Sequence, residues 1–198
     1  MTVPPTPLLV LWDIDHTLID SGTVSQQVYA TAFQKALAAE MGDRAAAMSA
    51  EGRVLPGAVA ALTALGAVPG VYQSVLTGDL RAIAELKMRA FGLDGHVDFR
   101  LGAYGEDAYE RTGLPAHAFR RTERHLGRRH SGADTVIIGD TLRDIATARA
   151  AGAGIVAVTT GSHSAAELRA AGADVVLTDL SDTAAVLHAV TGGPLRTR

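Results

Sequence analysis

The apolar run Leu8–Trp12 ends in two aspartates, Asp13 and Asp15, and this junction constrains the fold more than any other feature of the chain. A continuous apolar run predicts a strand that is buried on both faces, as in a parallel sheet. Because side chains alternate along a strand, the two carboxylates would point the same way if the extended geometry continued. Crowded carboxylates repel each other, and a bound divalent cation explains them better than folding alone. The alternative is a polar strand exit in which Asp15 caps a turn.

Predicted strands and helices alternate along the rest of the chain, which indicates a parallel sheet with helices on both faces. The further predicted strands cover residues 71–76, 96–101, 135–138, 154–158 and 174–177, and 96–101 has the weakest pattern. The predicted helices cover residues 24–41, 44–50, 56–66, 80–91, 116–130, 144–151, 165–171 and 181–190.

Composition excludes several classes of function. A length of 198 residues suits one domain with a small insertion, and a net charge of -3 gives no electrostatic footprint for nucleic acid or anionic membranes. The absence of cysteine excludes disulfides, thiolate zinc sites and a cysteine nucleophile. The N-terminal apolar run is far too short to span a bilayer. We therefore expect a cytoplasmic protein without a nucleic-acid or membrane partner.

Three of the predicted strands end in polar residues that could form one site. Ligands of open parallel sheets bind beyond the carboxyl ends of the strands, so the three exits would converge if these strands were neighbours. One motif alone is a weak signal, but the joint placement of three motifs after buried strands is strong. The polar residues at the exits are Asp13 and Asp15, then Thr77 and Gly78, then Asp140, Thr141 and Asp144.

On these motifs the chain resembles the haloacid dehalogenase superfamily, specifically its phosphoglycolate-phosphatase-like members. The family's first motif, Asp-x-Asp-x-Thr, corresponds to residues 13–17, the second to the strand end at 75–78, and the fourth, Gly-Asp-Ser/Thr-x-x-Asp, to 139–144. The resemblance covers most of the chain. It implies an α/β, doubly wound (Rossmann-like) parallel sheet of about six strands. Residues 1–19 and 54–198 would form the core, and residues 20–53 a small helical cap.

The resemblance implies hydrolysis of phosphate esters rather than dehalogenation. Asp13 would attack phosphorus and form an aspartyl-phosphate, and Asp15 would protonate the leaving alkoxide and then activate water. Haloacid dehalogenases share the nucleophile but lack an acid/base aspartate two residues later, so Asp15 favours phosphate substrates.

The resemblance also implies a Mg²⁺ site and a phosphate site. Mg²⁺ would be held by the carboxylates of Asp13 and Asp140 and by the backbone carbonyl of Asp15, a sparse oxygen set of the kind that Mg²⁺ uses. Thr77 and Gly78 would bind the phosphoryl oxygens by hydrogen bonds. The motif residues that would lie behind these ligands are Thr17 and Asp144.

The chain departs from the family pattern in two side chains and in the length of the cap. The third motif supplies a lysine, but neither Lys35 nor Lys87 lies in the required stretch. Arg111 is the best replacement, although a solvated loop arginine is the alternative, and arginine lacks the compact geometry of lysine. Asp79 stands where relatives often carry a neutral residue, and we expect it to cap the helix that follows. The short cap implies either an open site or the loss of part of the cap.

Two alternatives remain from the sequence. A phosphotransferase or phosphomutase would use the same aspartyl-phosphate step, and a degenerate, non-catalytic binding protein would explain the missing lysine and Asp79. The intact Asp13, Asp15 and Asp140 oppose the second alternative. A small phosphorylated metabolite is the expected ligand, and a monomer and a homodimer are equally compatible with the sequence.

Overall fold

The computed structural model describes residues 7–20 and 48–192, and a parallel five-stranded sheet lies at the centre of this part of the chain. The strands are β1 (Leu8–Trp12), β2 (Ile19–Asp20), β3 (Arg53–Val54), β4 (Val71–Val75), β5 (Thr135–Gly139), β6 (Gly154–Val158) and β7 (Val175–Leu177). The helices are α1 (Ala58–Gly66), α2 (Arg81–Ala90), α3 (Leu114–Leu126), α4 (Leu142–Ala151), α5 (Ala165–Ala170) and α6 (Thr183–Thr191).

The strand order in the sheet is β4-β1-β5-β6-β7, and all neighbouring strands are parallel. In the register of β1 with its two neighbours, Leu11 lies beside Ser74 of β4 and Ile137 of β5. The strands β1, β4 and β5 are therefore neighbours, and their carboxyl ends meet at one edge of the sheet. This arrangement confirms the prediction of a parallel α/β fold.

The inner strand β1 is buried on both faces, as its continuous apolar run predicts. Val10 and Trp12 pack into one apolar cluster with side chains of α1, α2 and α6. Leu9 and Leu11 pack into the other with side chains of α3, α4 and α5. Each fully buried aliphatic side chain of this kind contributes about 1.5–3 kcal/mol relative to exposure. Two helical layers thus fix the position of β1 and of the aspartates that follow it.

The prediction of a strand at residues 96–101 is wrong, and the sheet has five strands rather than about six. A short 3₁₀ helix, Asp94–His96, and a turn occupy this stretch. The Asp98 carboxylate accepts hydrogen bonds from the backbone N–H and the guanidinium of Arg100, which favours a local turn over an extended strand. At the edge of β4 the pairing continues through a bridge between Leu76 and Ala103 and a hydrogen bond from the backbone N–H of Asp98 to the carbonyl of Gln73.

The predicted helix at 116–130 ends earlier, at Leu126, because Gly127 adopts a left-handed conformation with φ of 65° that terminates the helix. Most of the predicted cap, residues 21–47, lies outside the described residues, so the helix at 24–41 and the domain division stay predictions. Residues 48–51 are helical. Among the described residues, no helix combines the length and apolar character needed to cross a membrane.

Candidate active site

The three predicted strand exits line one cavity of about 250 Å³ at the carboxyl edge of the sheet. Asp13 follows β1, Thr77 follows β4 and Asp140 follows β5, so the topology alone brings them together. The residues that line the cavity are Asp13, Asp15, His16, Thr77, Gly78, Asp79, Arg111, Asp140, Thr141 and Arg143.

A tight turn follows β1 and separates the two aspartates of the first motif. The backbone N–H of Asp13 still donates to the carbonyl of Ile138, so Asp13 extends the pairing with β5. The chain then reverses at His16, which has a left-handed backbone conformation with φ of 58°, and its carbonyl accepts a hydrogen bond from the Thr160 hydroxyl. Asp13 and Asp15 consequently meet different cations, although both line the cavity.

Arg111 joins the predicted nucleophile to the last aspartate of the fourth motif. It lies in a short 3₁₀ helix, Arg111–Gly113, before α3, and its Nη2 donates to Asp13 Oδ1 and to Asp144 Oδ1, both at 2.6 Å. Burial and the nearby carboxylate of Asp144 raise the pKa of Asp13 well above its usual range, although Arg111 opposes the shift. The alternative of a solvated loop arginine is therefore wrong, and Arg111, the expected replacement for the motif lysine, lies against Asp13.

Asp144 is held by the start of its own helix. Thr141 is the N-cap of α4 and forms a capping box with Asp144: the backbone N–H and hydroxyl of Thr141 donate to Asp144 Oδ2, at 2.9 and 2.6 Å. The other carboxylate oxygen accepts from Arg111. Because both oxygens already accept hydrogen bonds, Asp144 suits the predicted position behind the metal ligands.

The carboxylates of this edge form an oxygen cluster that fits a hard divalent cation. One oxygen from each of Asp13, Asp140 and Asp144 lies within 4.8 Å of the others. Burial, and then the charge of Asp144, raise the pKa of Asp140 to about 6, while the hydroxyl of Thr17 donates to Asp140 Oδ1 at 3.3 Å. A cation of the Mg²⁺ type would offset this excess of negative charge with the ligand atoms it prefers.

Comparison with known proteins supports the same family. Residues 112–183 match the family model of HAD-hydrolase-like proteins, which are the haloacid dehalogenase-like hydrolases. Among solved structures, a haloacid dehalogenase-like hydrolase from Streptococcus pneumoniae superposes with a TM-score of 0.68 at 18% identity, covering 90% of this chain and 97% of that chain. The family resemblance is confirmed.

Two other solved structures superpose with similar scores. A predicted phosphatase from Clostridium acetobutylicum has a TM-score of 0.66 at 19% identity, covering 92% of this chain and 99% of that chain. A putative β-phosphoglucomutase from Thermotoga maritima has a TM-score of 0.66 at 17% identity, with the same two coverages. No curated protein sequence matches the chain. At these identities the structural likeness establishes the fold.

The sequence reasoning missed Lys87, which lies on the buried face of α2 and reaches the acidic residues of this haloacid dehalogenase-like site. Its Nζ donates to Asp15 Oδ1 and Oδ2 at 2.9 and 2.7 Å and lies 2.8 Å from Asp79 Oδ2. Burial alone lowers the pKa of Lys87, but Asp79 and Asp15 outweigh it and raise this pKa above the usual value. The predicted cap role of Asp79 is wrong: Leu80 is the N-cap of α2 and has no side-chain cap.

A second residue missed from the sequence is Gly161, which lies in the loop after β6. A Cβ atom at this position would lie 1.8 Å from Asp140 Oδ2, so only glycine allows the backbone to approach the carboxylate. Gly161 belongs to no motif of the family pattern, and no local signal separates it from other loop glycines.

Proposed function

We propose that the chain is a Mg²⁺-dependent phosphomonoesterase that acts on small phosphorylated metabolites through an aspartyl-phosphate on Asp13. The observation that carries this proposal is the convergence of Asp13, Asp15 and Asp140 with Thr77 around one cavity of about 250 Å³. A cavity of this size is small compared with typical drug-sized pockets, which suits a phosphoryl group with a small organic part.

In the first step, an oxygen of Asp13 attacks phosphorus as the bond between phosphorus and the ester oxygen breaks. Asp15 donates a proton to the departing alkoxide, and in the second step it accepts a proton from the water that hydrolyses the acyl-phosphate. Arg111 would favour the ionised, nucleophilic form of Asp13 and offset charge on the phosphoryl oxygens.

A bound Mg²⁺ would be held by Asp13, Asp140 and the backbone carbonyl of Asp15, and would neutralise charge that develops on the transferring phosphoryl group. Burial first, and then the charge of Asp144, raise the pKa values of Asp13 and Asp140, and a divalent cation at these carboxyls would oppose both effects, which supports the assignment. Asp144 would keep Arg111 in place behind these ligands.

Thr77 and Gly78 form the proposed phosphate-binding wall. The hydroxyl oxygen of Thr77 accepts a hydrogen bond from the backbone N–H of Asp79 at 3.1 Å, which leaves the hydroxyl hydrogen available to donate into the cavity. A Cβ at Gly78 would lie 3.5 Å from Arg111 Nη1, so this backbone runs directly alongside the guanidinium. Hydroxyl, backbone N–H and guanidinium groups together suit a phosphate dianion.

The test is hydrolysis of p-nitrophenyl phosphate with Mg²⁺ and with a chelator. We expect turnover that depends on Mg²⁺ and falls at least about 10³-fold in Asp13→Asn, because the amide cannot act as the nucleophile. Absence of turnover with every divalent cation tested would instead support the non-catalytic binding protein. A panel of phosphorylated metabolites, screened by phosphate release, would then define the substrate class.

A phosphomutase is the second candidate, because a structure described as a putative β-phosphoglucomutase shares the fold. Both activities would use Asp13 and differ in the acceptor of the phosphoryl group. Release of inorganic phosphate, measured against transfer to added sugar phosphates, separates the two. Predominant transfer would replace the phosphatase proposal.

A further inference from the structure

We propose that Lys87 is a positioning residue for Asp15, and that Asp79 in turn holds Lys87 in place. The proposal deepens the phosphatase function and rests on it, because it assigns the residues that orient the acid/base carboxylate. Arg111 contacts the nucleophile on one side of the cavity, and Lys87 contacts the acid/base residue on the other.

The contact between Lys87 and Asp15 has the geometry of a clamp. One ammonium group donates to both carboxylate oxygens, at 2.9 and 2.7 Å, and so fixes the plane of the Asp15 carboxylate. The Lys87 side chain is fully buried, whereas the Asp15 side chain is 35% exposed. The clamp therefore acts from the buried side, while Asp15 also lines the cavity where the leaving group would lie.

Asp79 is a second carboxylate in contact with the Lys87 ammonium. Its Oδ2 lies 2.8 Å from Lys87 Nζ, and its side chain is only 2% exposed. The negative charge of Asp79 is thus balanced inside the protein, although Asp79 follows the proposed phosphate-binding Thr77 and Gly78. This pairing explains how an acidic residue is accommodated beside a phosphate site.

Folding alone gives a poor account of a lysine at this position. Lys87 lies among the buried residues Ile83, Ala84 and Met88 of α2, where an apolar side chain would pack without the cost of removing an ammonium from water. A buried ion pair is therefore weak support for stability. A general acid, by contrast, needs a carboxyl held within hydrogen-bond reach of the leaving oxygen.

The experiment compares two substrates that differ in their need for the acid. The p-nitrophenolate leaving group departs without help, whereas an alkoxide leaving group needs the proton that Asp15 supplies. We expect Lys87→Met to lower kcat on an alkyl phosphate by roughly 10- to 100-fold and on p-nitrophenyl phosphate by less than about 3-fold. Asp15→Asn is the reference and should show the same selectivity with a larger loss on the alkyl phosphate.

Lys87→Met leaves Asp79 buried without its cation, so this variant could unfold. The double variant Lys87→Met/Asp79→Asn removes both charges of the buried pair and leaves Asp15 without the clamp. We expect this variant to stay folded, as judged by its circular dichroism spectrum and its thermal melting curve. The selective loss on the alkyl phosphate in this folded double variant supports the proposal. Equal losses on both substrates, or no loss on either, would overturn it. If the unsubstituted protein hydrolyses neither substrate, the proposed phosphatase function itself is overturned. This outcome is distinct from a failure of the Lys87 proposal, which only the variants can show.

Discussion

Two sites at opposite ends of the central sheet hold buried ionisable side chains in different ways. At the carboxyl end, Asp13 and Asp79 are nearly buried carboxylates, each paired with a buried or half-buried cation. Towards the amino end, His130 is 1% exposed, and among the described residues neither of its ring nitrogens has a hydrogen-bond partner. Its ring packs edge-on against Tyr72 at 5.9 Å between centroids. The two carboxylates are thus paired with cations, whereas the imidazole is buried without a counter-charge in contact.

Burial opposes ionisation at both ends, but the consequences differ. It raises the pKa of Asp140 to about 6, with a further contribution from Asp144, and it lowers the pKa of His130. A divalent cation can offset the charge of Asp140, whereas His130 avoids the cost by staying neutral. A buried ionisable group therefore indicates a cation site only where it would be negatively charged and a cation can reach it, as at Asp140 but not at His130.

The largest expected effect follows from removing the charge of Arg111, which contacts Asp13 at the carboxyl end of the sheet. Arg111→Met should lower kcat roughly 10²–10³-fold and the free energy of unfolding by about 3–5 kcal/mol, because Asp13 and Asp144 lose their shared donor. Arg111→Lys should keep more of both, since the single atom Nη2 makes both contacts. Kinetics with p-nitrophenyl phosphate and urea unfolding measure the two quantities. Equal activity of the methionine and lysine variants would contradict the role of the charge.

The next effect concerns the cation expected at this end. At a concentration of 100 times its Kd, Mg²⁺ should stabilise the folded protein by about 2.7 kcal/mol, and Asp140→Asn should abolish this gain. Without metal, the same variant should exceed the unsubstituted protein in stability at pH 7. The reason is that the pKa of Asp140 is raised from 3.8 to about 6, so ionisation costs folding free energy as the pH rises through this range. Thermal melting with and without Mg²⁺ measures both effects, and a Mg²⁺-induced gain that survives in Asp140→Asn would contradict the assignment of Asp140 as a ligand.

A smaller effect should follow from a methyl group placed beside Asp140. Gly161→Ala requires the loop to move away from the carboxylate and should weaken Mg²⁺ binding about tenfold, equivalent to about 1.4 kcal/mol. Gly95→Ala is the matched control towards the amino end, because a Cβ there would meet no atom within 4 Å. Isothermal titration with Mg²⁺ compares the variants, and equal affinities would show that the close approach of Gly161 is unimportant.

The smallest effect tests the amino end. The lowered pKa of His130 means that the unfolded chain binds a proton more readily than the folded one, so stability should fall as the pH drops below 6.5. His130→Phe should remove up to about 1 kcal/mol of this loss between pH 7.5 and pH 5.5. Urea unfolding at both pH values measures it, with His125→Phe as an exposed control. An unchanged pH dependence in His130→Phe would contradict the assignment.

The sequence predicts those parts of the molecule that depend on local pattern. Continuous apolar runs ending in polar residues identify β1, β4 and β5, and the parallel topology then brings Asp13, Thr77 and Asp140 together. The prediction of a strand at 96–101 is wrong because hydrogen bonds from Arg100 to the Asp98 carboxylate favour a local turn there.

The parts that the sequence did not predict depend on contacts between distant segments. Lys87 lies four residues after Ile83 and therefore on the apolar stripe of α2, a position that predicts a buried partner but does not identify Asp15, 72 positions away. Gly161 requires knowledge of the loop that packs on Asp140. Both contacts join residues that are far apart in the sequence, so the local pattern of apolar and polar residues cannot predict them.

The antiparallel pair of β2 and β3 has a consequence for how this architecture diversifies. Ile19 pairs with Val54, Asp20 pairs with Arg53, and an ion pair of 2.9 Å joins Asp20 to Arg53. The chain thus leaves and re-enters the core at one stem, although Met48, which lies between the two strands, is buried and Ser49 donates to the carbonyl of Ala90. We expect an exchange of the predicted cap that keeps these contacts to leave β1 and the aspartates after it in place, a modular route to new selectivity.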